Sequence, residues 1–172
     1  MLVRSLGAEE AKIALPRLAE ILIDAVASGA GVSFMHPLSK DDAETYWQNQ
    51  LADVDAGKTF IFVCEKEKFT KIAGTVMLQR AWAPNQPHRA DVAKLLVHRD
   101  SRRQGVASAL VLAVERKAIE LGLKLITFDT VAGGGAEKFY RTMGYTPVGT
   151  IPNYAYSGDG KLDPTMFFYK AL

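Results

Sequence analysis

Leu95-Leu96-Val97-His98-Arg99-Asp100-Ser101-Arg102-Arg103-Gln104-Gly105-Val106-Ala107-Ser108-Ala109-Leu110 changes character twice within a short span. An apolar strand passes into a basic turn, and the turn into an amphipathic helix. The small residues Gly105 and Ala107 let the backbone come close to a ligand. The helix start aims unpaired N–H groups and a partial positive charge at the same place. Arg102 and Arg103 add formal charge beside it. A turn built this way suits a diphosphate.

Working outward, the elements alternate. Leu2–Leu6 reads as a first strand. Ala8–Ser28 has helical spacing at Leu15, Leu18, Leu22 and Val26, with Pro16 near its start or dividing it. Ser39 followed by Asp42 reads as a helix cap, and the helix should run to about Val54. Thr59–Glu65 and Lys71–Gln79 read as strands around the charged turn Lys66-Glu67-Lys68. Pro84, Asn85 and Pro87 make Arg80–His88 a loop. Ala90–Val97 is the next strand and Val106–Leu121 the clearest helix, stopped by Gly122. Lys124–Thr130, a helix over Ala136–Met143, and strands Thr146–Ile151 and Met166–Lys170 complete the series. The polar stretch Pro152–Pro164 reads as a loop. Nothing resembles a repeat or a linker, so residues 1–172 are expected to form one domain. Its class is α+β, one mixed sheet with helices on both faces.

The bulk numbers exclude several functions. The formal net charge is +2, too small to point to nucleic acid or an anionic membrane. One cysteine, Cys64, permits neither an intrachain disulfide nor a cysteine-rich metal site. His36, His88 and His98 show no metal-ligand spacing, so no metal is expected. No basic segment followed by a long apolar run opens the chain, and a cytoplasmic location is the expectation.

Two other phosphate-binding readings fail. The Walker string Gly-x-x-x-x-Gly-Lys-Ser/Thr is absent. Read from Gly133, a dinucleotide fingerprint would need glycine where Lys138 stands.

Further motifs accompany the loop: Arg89-Ala90-Asp91-Val92-x-Lys94-Leu95-Leu96-Val97, Phe128-Asp129-Thr130, Ala136-Glu137-Lys138-Phe139-Tyr140 and Gly144-Tyr145. Val148-Gly149-x-Ile151-Pro152-x-Tyr154-Ala155, Asp159-Gly160-x-Leu162 and Phe168-Tyr169-Lys170 follow. Together they resemble the GNAT N-acetyltransferase superfamily, and within it the tabtoxin-resistance type. The resemblance covers nearly the whole chain. It implies a mostly antiparallel sheet of about seven strands, splayed at the acyl-CoA site and flanked by about four helices.

The resemblance also implies an enzyme that moves an acetyl group from acetyl-CoA directly to an amine in a ternary complex. Backbone groups of Leu95, Leu96 and Val97 would hold the pantetheine arm, with an N–H near Leu96 as oxyanion donor. Arg102, Arg103, Gln104, Gly105, Val106, Ala107 and Ser108 would hold the pyrophosphate. An alkyl ammonium titrates near ~10 and must lose a proton before attack. Asp129 and Asp91 are the candidate bases, directly or through water. A glutamate is usual at the position of Asp91, so a bridging water is favoured there. Tyr140 matches the tyrosine that lies by the sulfur and serves as acid. Many members carry an asparagine after the second of these strands, where this chain has Val131-Ala132-Gly133-Gly134.

The expected acceptor is a small-molecule amine, with an acidic cleft around Asp91 and Asp129 favouring cationic ones. Detoxification is an implied role. The alternatives are a protein or peptide N-acetyltransferase and a non-catalytic acyl-CoA-binding module. A homodimer is open, with Met166–Tyr169 either at an interface or interior. Cys64 is expected in the core, and Trp47 in the core or at an interface. Phe34, Met35, Trp82, Asn85, Tyr154 and Tyr156 fall in segments that flank the acceptor side.

Overall fold

The computed structural model describes residues 1–66 and 71–172. The expected turn Lys66-Glu67-Lys68 therefore lies largely outside the described residues. The strands are β1 (Leu2–Leu6), β2 (Thr59–Glu65), β3 (Ile72–Arg80), β4 (Arg89–Val97), β5 (Leu125–Val131), β6 (Thr146–Tyr156) and β7 (Leu162–Ala171). They form one seven-stranded sheet in the order β1-β2-β3-β4-β5-β7-β6. All pairings are antiparallel except β4 with β5.

The helices among the described residues are α1 (Ala8–Ala27), α2 (Lys40–Gln48), α3 (Leu51–Asp55), α4 (Val106–Glu120) and α5 (Gly135–Thr142). Four have eight residues or more, and α3 is little over one turn. Strand alternation sorts the apolar side chains between two layers. Phe62 and Cys64 join Leu110, Val114, Ile126, Phe128 and Phe168 under α4 and α5. Ile61 and Val63 join Leu18, Leu22, Trp47 and Met77 under α1 and α2. Each fully buried leucine contributes about 1.5–3 kcal/mol from apolar burial. Cys64 and Trp47 are core residues, as expected.

Three expectations change. Pro16 neither stands at the start of α1 nor divides it, and α1 runs through it as one helix; packing of Ala11, Leu18 and Leu22 outweighs the lost hydrogen bond. The helix expected from Ser39 to Val54 divides into α2 and α3. Ser39 Oγ accepts from the Asp42 N–H (3.1 Å) as a cap. At the break the Gln50 side chain donates to the Tyr46 carbonyl (3.3 Å), while the Gln50 N–H turns to the Trp47 carbonyl (3.0 Å). Finally, most of the loop expected at Pro152–Pro164 is strand. β6 is the exposed edge of the sheet and has no buried face to advertise it. Its pairing with β7 defines it, and Ser157 closes the turn through Asp159 Oδ1 (2.6 Å) and the Lys161 carbonyl (2.8 Å). β7, which contains Met166–Tyr169, is bonded on both sides and is interior to the sheet.

No helix among the described residues is long and apolar enough to cross a membrane.

Candidate active site

β4 and β5 pair only over Arg89↔Leu125, Ala90↔Ile126 and Asp91↔Thr127. Beyond Asp91 the ladder stops. β5 continues alongside β7 as far as Val131↔Thr165, so β4 leaves it and a wedge opens between them. Two physical features turn β4 away. Between the pairs Thr75↔Leu96 and Met77↔Ala93, β4 carries one residue more than β3. Lys94 sits in that bulge with φ +51°, a left-handed conformation unusual for a side chain beyond Cβ. Gly74 lies beneath it, where a Cβ would stand 2.7 Å from the Leu96 carbonyl oxygen and 2.9 Å from Val106 Cγ1. Glycine is what allows β3, β4 and α4 to meet there.

The wedge is a cleft of about 720 Å³. Its walls are the end of α1 with the following turn, the segment 92–97 of β4, the segment 128–131 of β5 and the start of α5. A second cavity of about 630 Å³ lies over the basic turn. The two share Val97, Arg102, Ala107, Gly135 and Phe139. They form one trough, long enough for an extended ligand and within the size range of ligand sites.

At one end of the trough the basic turn presents its backbone. The first hydrogen bond of α4 runs from the Ala109 N–H to the Gly105 carbonyl (3.0 Å), so the N–H groups of Val106, Ala107 and Ser108 point out of the helix start. Arg103 (φ +59°) and Gly105 (φ +80°) are left-handed, which gathers successive N–H groups into an anion-binding concavity. The Gln104 side chain donates to the Asp100 carbonyl (3.1 Å) and accepts from Lys66 Nζ (2.5 Å).

The two arginines differ. Arg102 is turned toward α1. Its Nε donates to the Val97 carbonyl (3.1 Å), and its Nη2 to Ser28 Oγ (3.0 Å) and Asp24 Oδ2 (3.3 Å). Arg103 is exposed and has no ion-pair partner among the described residues. Asp24 also accepts from the Arg99 N–H (3.0 Å) and from the Arg99 side chain. Burial pushes the Asp24 carboxyl up, and its bonds to Arg99 outweigh that and hold it below the usual range.

Tyr140 lines the trough where β4 and β5 part, 6% exposed. Its ring packs 4.2 Å from Phe128, 5.3 Å from Phe139 and 5.7 Å from Tyr145, centroid to centroid. Burial pushes its phenol far above the ordinary value, so the hydroxyl keeps its proton.

The two carboxylates have different surroundings. Asp129 is exposed, lines the cleft and accepts from Thr165 Oγ1 at 2.7 Å. Asp91 is the last residue of β4 paired with β5. Its Oδ1 accepts from Arg89 Nη1 (2.5 Å) and from Thr127 Oγ1, and Arg89 itself is held by Gln86 Oε1 (2.8 Å). The cleft is not an acidic pocket around a pair of carboxylates. The charged residues that line it are Lys94, Arg102 and Asp129, among the described residues.

Sequence reasoning gave no role to Lys94 or Asp24. Each is a single charge in an apolar run, Val92-Ala93-Lys94-Leu95-Leu96 and Leu22-Ile23-Asp24-Ala25-Val26, and that isolation was the available signal. Of the flanking aromatics, Phe34 meets Tyr46 edge-on (5.3 Å) and Tyr154 meets Phe167 (5.7 Å), while Trp82 is 93% exposed.

The sequence model of the Acetyltransferase (GNAT) family matches residues 23–145. Among solved structures, the fold is similar to ribosomal-protein-alanine N-acetyltransferase from Brucella melitensis, with TM-score 0.82, 18% identity and 100% of both chains covered. It is similar to an N-acetyltransferase from Staphylococcus aureus, with TM-score 0.81, 18% identity, and 99% of this chain and 97% of that one covered. It is also similar to yncA of Salmonella typhimurium, solved with its cofactor acetyl-CoA, with TM-score 0.81, 14% identity, and 100% and 94% covered. The family match spans the basic turn, the splayed strands and Tyr140. The chain belongs to the GNAT acetyltransferase family.

Proposed function

We propose that the chain transfers an acetyl group from acetyl-CoA to the amine of a small molecule, by direct attack in a ternary complex. The observation that carries this reading is the trough itself. The family's cosubstrate is long and carries a diphosphate beyond its pantetheine arm, and the trough joins an N–H-rich turn to an unpaired strand edge and then to Tyr140 and Asp129. When bound, acetyl-CoA supplies an activated thioester carbonyl. The N–H groups from Arg103 to Ser108, with Arg103 beside them, hold the pyrophosphate. Backbone groups of Leu95, Leu96 and Val97 align the pantetheine amides, and an N–H near Leu96 serves the carbonyl oxygen. Asp129 takes the proton from the acceptor ammonium, directly or through water. Tyr140, kept protonated by burial, directs its O–H to the departing sulfur. Asp91, held by Arg89 and Thr127, acts from behind this site through water. The tabtoxin-resistance type, a detoxifying role in the cytoplasm and a homodimer are parts of the same proposal.

The Brucella melitensis neighbour, named for a ribosomal protein substrate, favours a second reading, with a peptide amine as acceptor. Free-thiol release from acetyl-CoA, measured against a panel of amines, amino acids and short peptides, separates them. Transfer to a small amine is the expected result. Release with peptides alone replaces it with the second reading. Silence across the panel, with acetyl-CoA shown to bind, leaves a non-catalytic acyl-CoA module.

A further inference from the structure

The ammonium of Lys94 is the unexplained charge of the cleft. Lys94 is half-buried, and its Nζ lies 5.1 Å from the centroid of Tyr46 and 5.7 Å from that of Phe34. Those two rings meet edge-on at 5.3 Å, and Tyr46 is anchored below by a contact from its hydroxyl to the Met77 sulfur at 3.6 Å. The rings attract the cation through their faces but accept no ordinary hydrogen bond. An ammonium has three donors. Among the described residues, none of them meets an acceptor and no carboxylate stands within ion-pair distance. A desolvated charge with unspent donors is costly, and burial indeed lowers the Lys94 pKa, with Asp129 opposing the shift. The backbone bears a cost as well, because Lys94 holds a left-handed φ of +51° in the bulge of β4.

Lys94 on β4 and Asp129 on β5 stand on the two strands that part to open the wedge, and both line the cleft. The cleft thus presents a cation and an anion to whatever enters it. Arg102, the remaining charged lining residue, is occupied by Asp24 and Ser28.

We propose that Lys94 is the anchor for a carboxylate on the acceptor, and that the acceptor is a zwitterion whose amine faces Asp129 while its carboxylate faces Lys94. This deepens the small-molecule reading above and rests on it. A carboxylate gives the idle donors their acceptor and offsets the desolvation of the ammonium. The Phe34–Tyr46 pair holds the ammonium end in place, so little side-chain freedom is lost on binding. A purely cationic amine would instead bring like charge to Lys94.

The test compares free α- to ω-amino acids with their methyl esters and with the corresponding decarboxylated amines, all with acetyl-CoA and read by thiol release. Free amino acids are expected to be the better acceptors by about tenfold or more in kcat/KM, the scale of one charged hydrogen bond. In Lys94→Met that preference disappears through a rise in the acceptor KM, while the KM for acetyl-CoA stays as in the parent. Lys94→Arg recovers part of the preference, which a merely structural role would not do. Esters or decarboxylated amines that match the free amino acids in the parent overturn the inference, yet leave the small-molecule reading standing. A preference for free amino acids that persists in Lys94→Met also overturns it. Absence of thiol release with every amine overturns both.

Discussion

Arg102 Nη2 lies 3.3 Å from Asp24 Oδ2, which ties the basic turn to the last turn of α1. The same arginine reaches Ser28 at the helix C-cap, where the macrodipole favours a cation. Arg99 grips Asp24 from the preceding 3₁₀ turn, Arg99–Ser101. One acid on α1 therefore orders the segment that leads into the unpaired N–H groups at the start of α4. In Asp24→Asn the charge-assisted bonds are lost, each about 1.5–3 kcal/mol. The expected result is a Tm several degrees lower and a raised KM for acetyl-CoA with kcat less affected. Thermal melts and initial rates at varied acetyl-CoA check both.

Gly74→Ala tests the junction that opens the wedge. The added Cβ would meet the Leu96 carbonyl at 2.7 Å and Val106 at 2.9 Å. A backbone oxygen cannot step aside as a flexible side chain can. Overpacking of this kind costs about 1–3 kcal/mol, and relief requires β4 to move. We expect a lower urea midpoint and weaker acetyl-CoA binding, measured by denaturation and by titration calorimetry.

Tyr140→Phe keeps the ring against Phe128 and Phe139 and removes the proton at the trough. Stability should change little and acetyl-CoA should still bind. The turnover number should fall by about 10²–10⁴-fold, the usual contribution of a placed general acid. Binding that persists while turnover collapses assigns Tyr140 to the chemistry.

The two carboxylates should separate under substitution. Asp129→Asn removes the exposed carboxylate inside the cleft and is expected to lower kcat/KM by about 10²–10⁴-fold. Asp91→Asn breaks a half-exposed pair with Arg89, which contributes about 0–1 kcal/mol to stability, and should lower the rate by less. Equal losses in the two variants would contradict the assignment of Asp129 as base.

Stability should fall at both ends of the pH scale. Asp24 has a depressed pKa in the folded state, so its contribution is complete above the unfolded value of about 4 and is lost as pH falls through the folded one. Burial raises the tyrosines, Tyr46 to about 12 and Tyr140 and Tyr145 further. Their contribution is complete below the unfolded value of about 10 and is lost as pH rises beyond it. Melts between pH 3 and 11 should show a plateau with both limbs, and Asp24→Asn should flatten the acidic one.

Much of this protein is written locally in its sequence. Apolar period and punctuation determine α1, α4 and β2 to β5, because burial of one face and a glycine or cap at each end are properties of nearby residues. The basic turn is legible for the same reason: Gly105 and the start of α4 dictate where the N–H groups point. The first half of β6, Thr146–Ile151, was legible, but its continuation through Pro152–Tyr156 was hidden because those residues are exposed and only the ladder with β7 makes them a strand. Tertiary structure alone decided the site's electrostatics. Asp91 and Asp129 both read as candidate bases along the chain, yet the end of the β4–β5 ladder gives Arg89 and Thr127 to the first and leaves the second facing the cleft. Lys94 reads as one polar residue in an apolar strand. Its meaning comes from a bulge set by the β3–β4 register and from rings that α2 and the turn before it bring from far away in sequence.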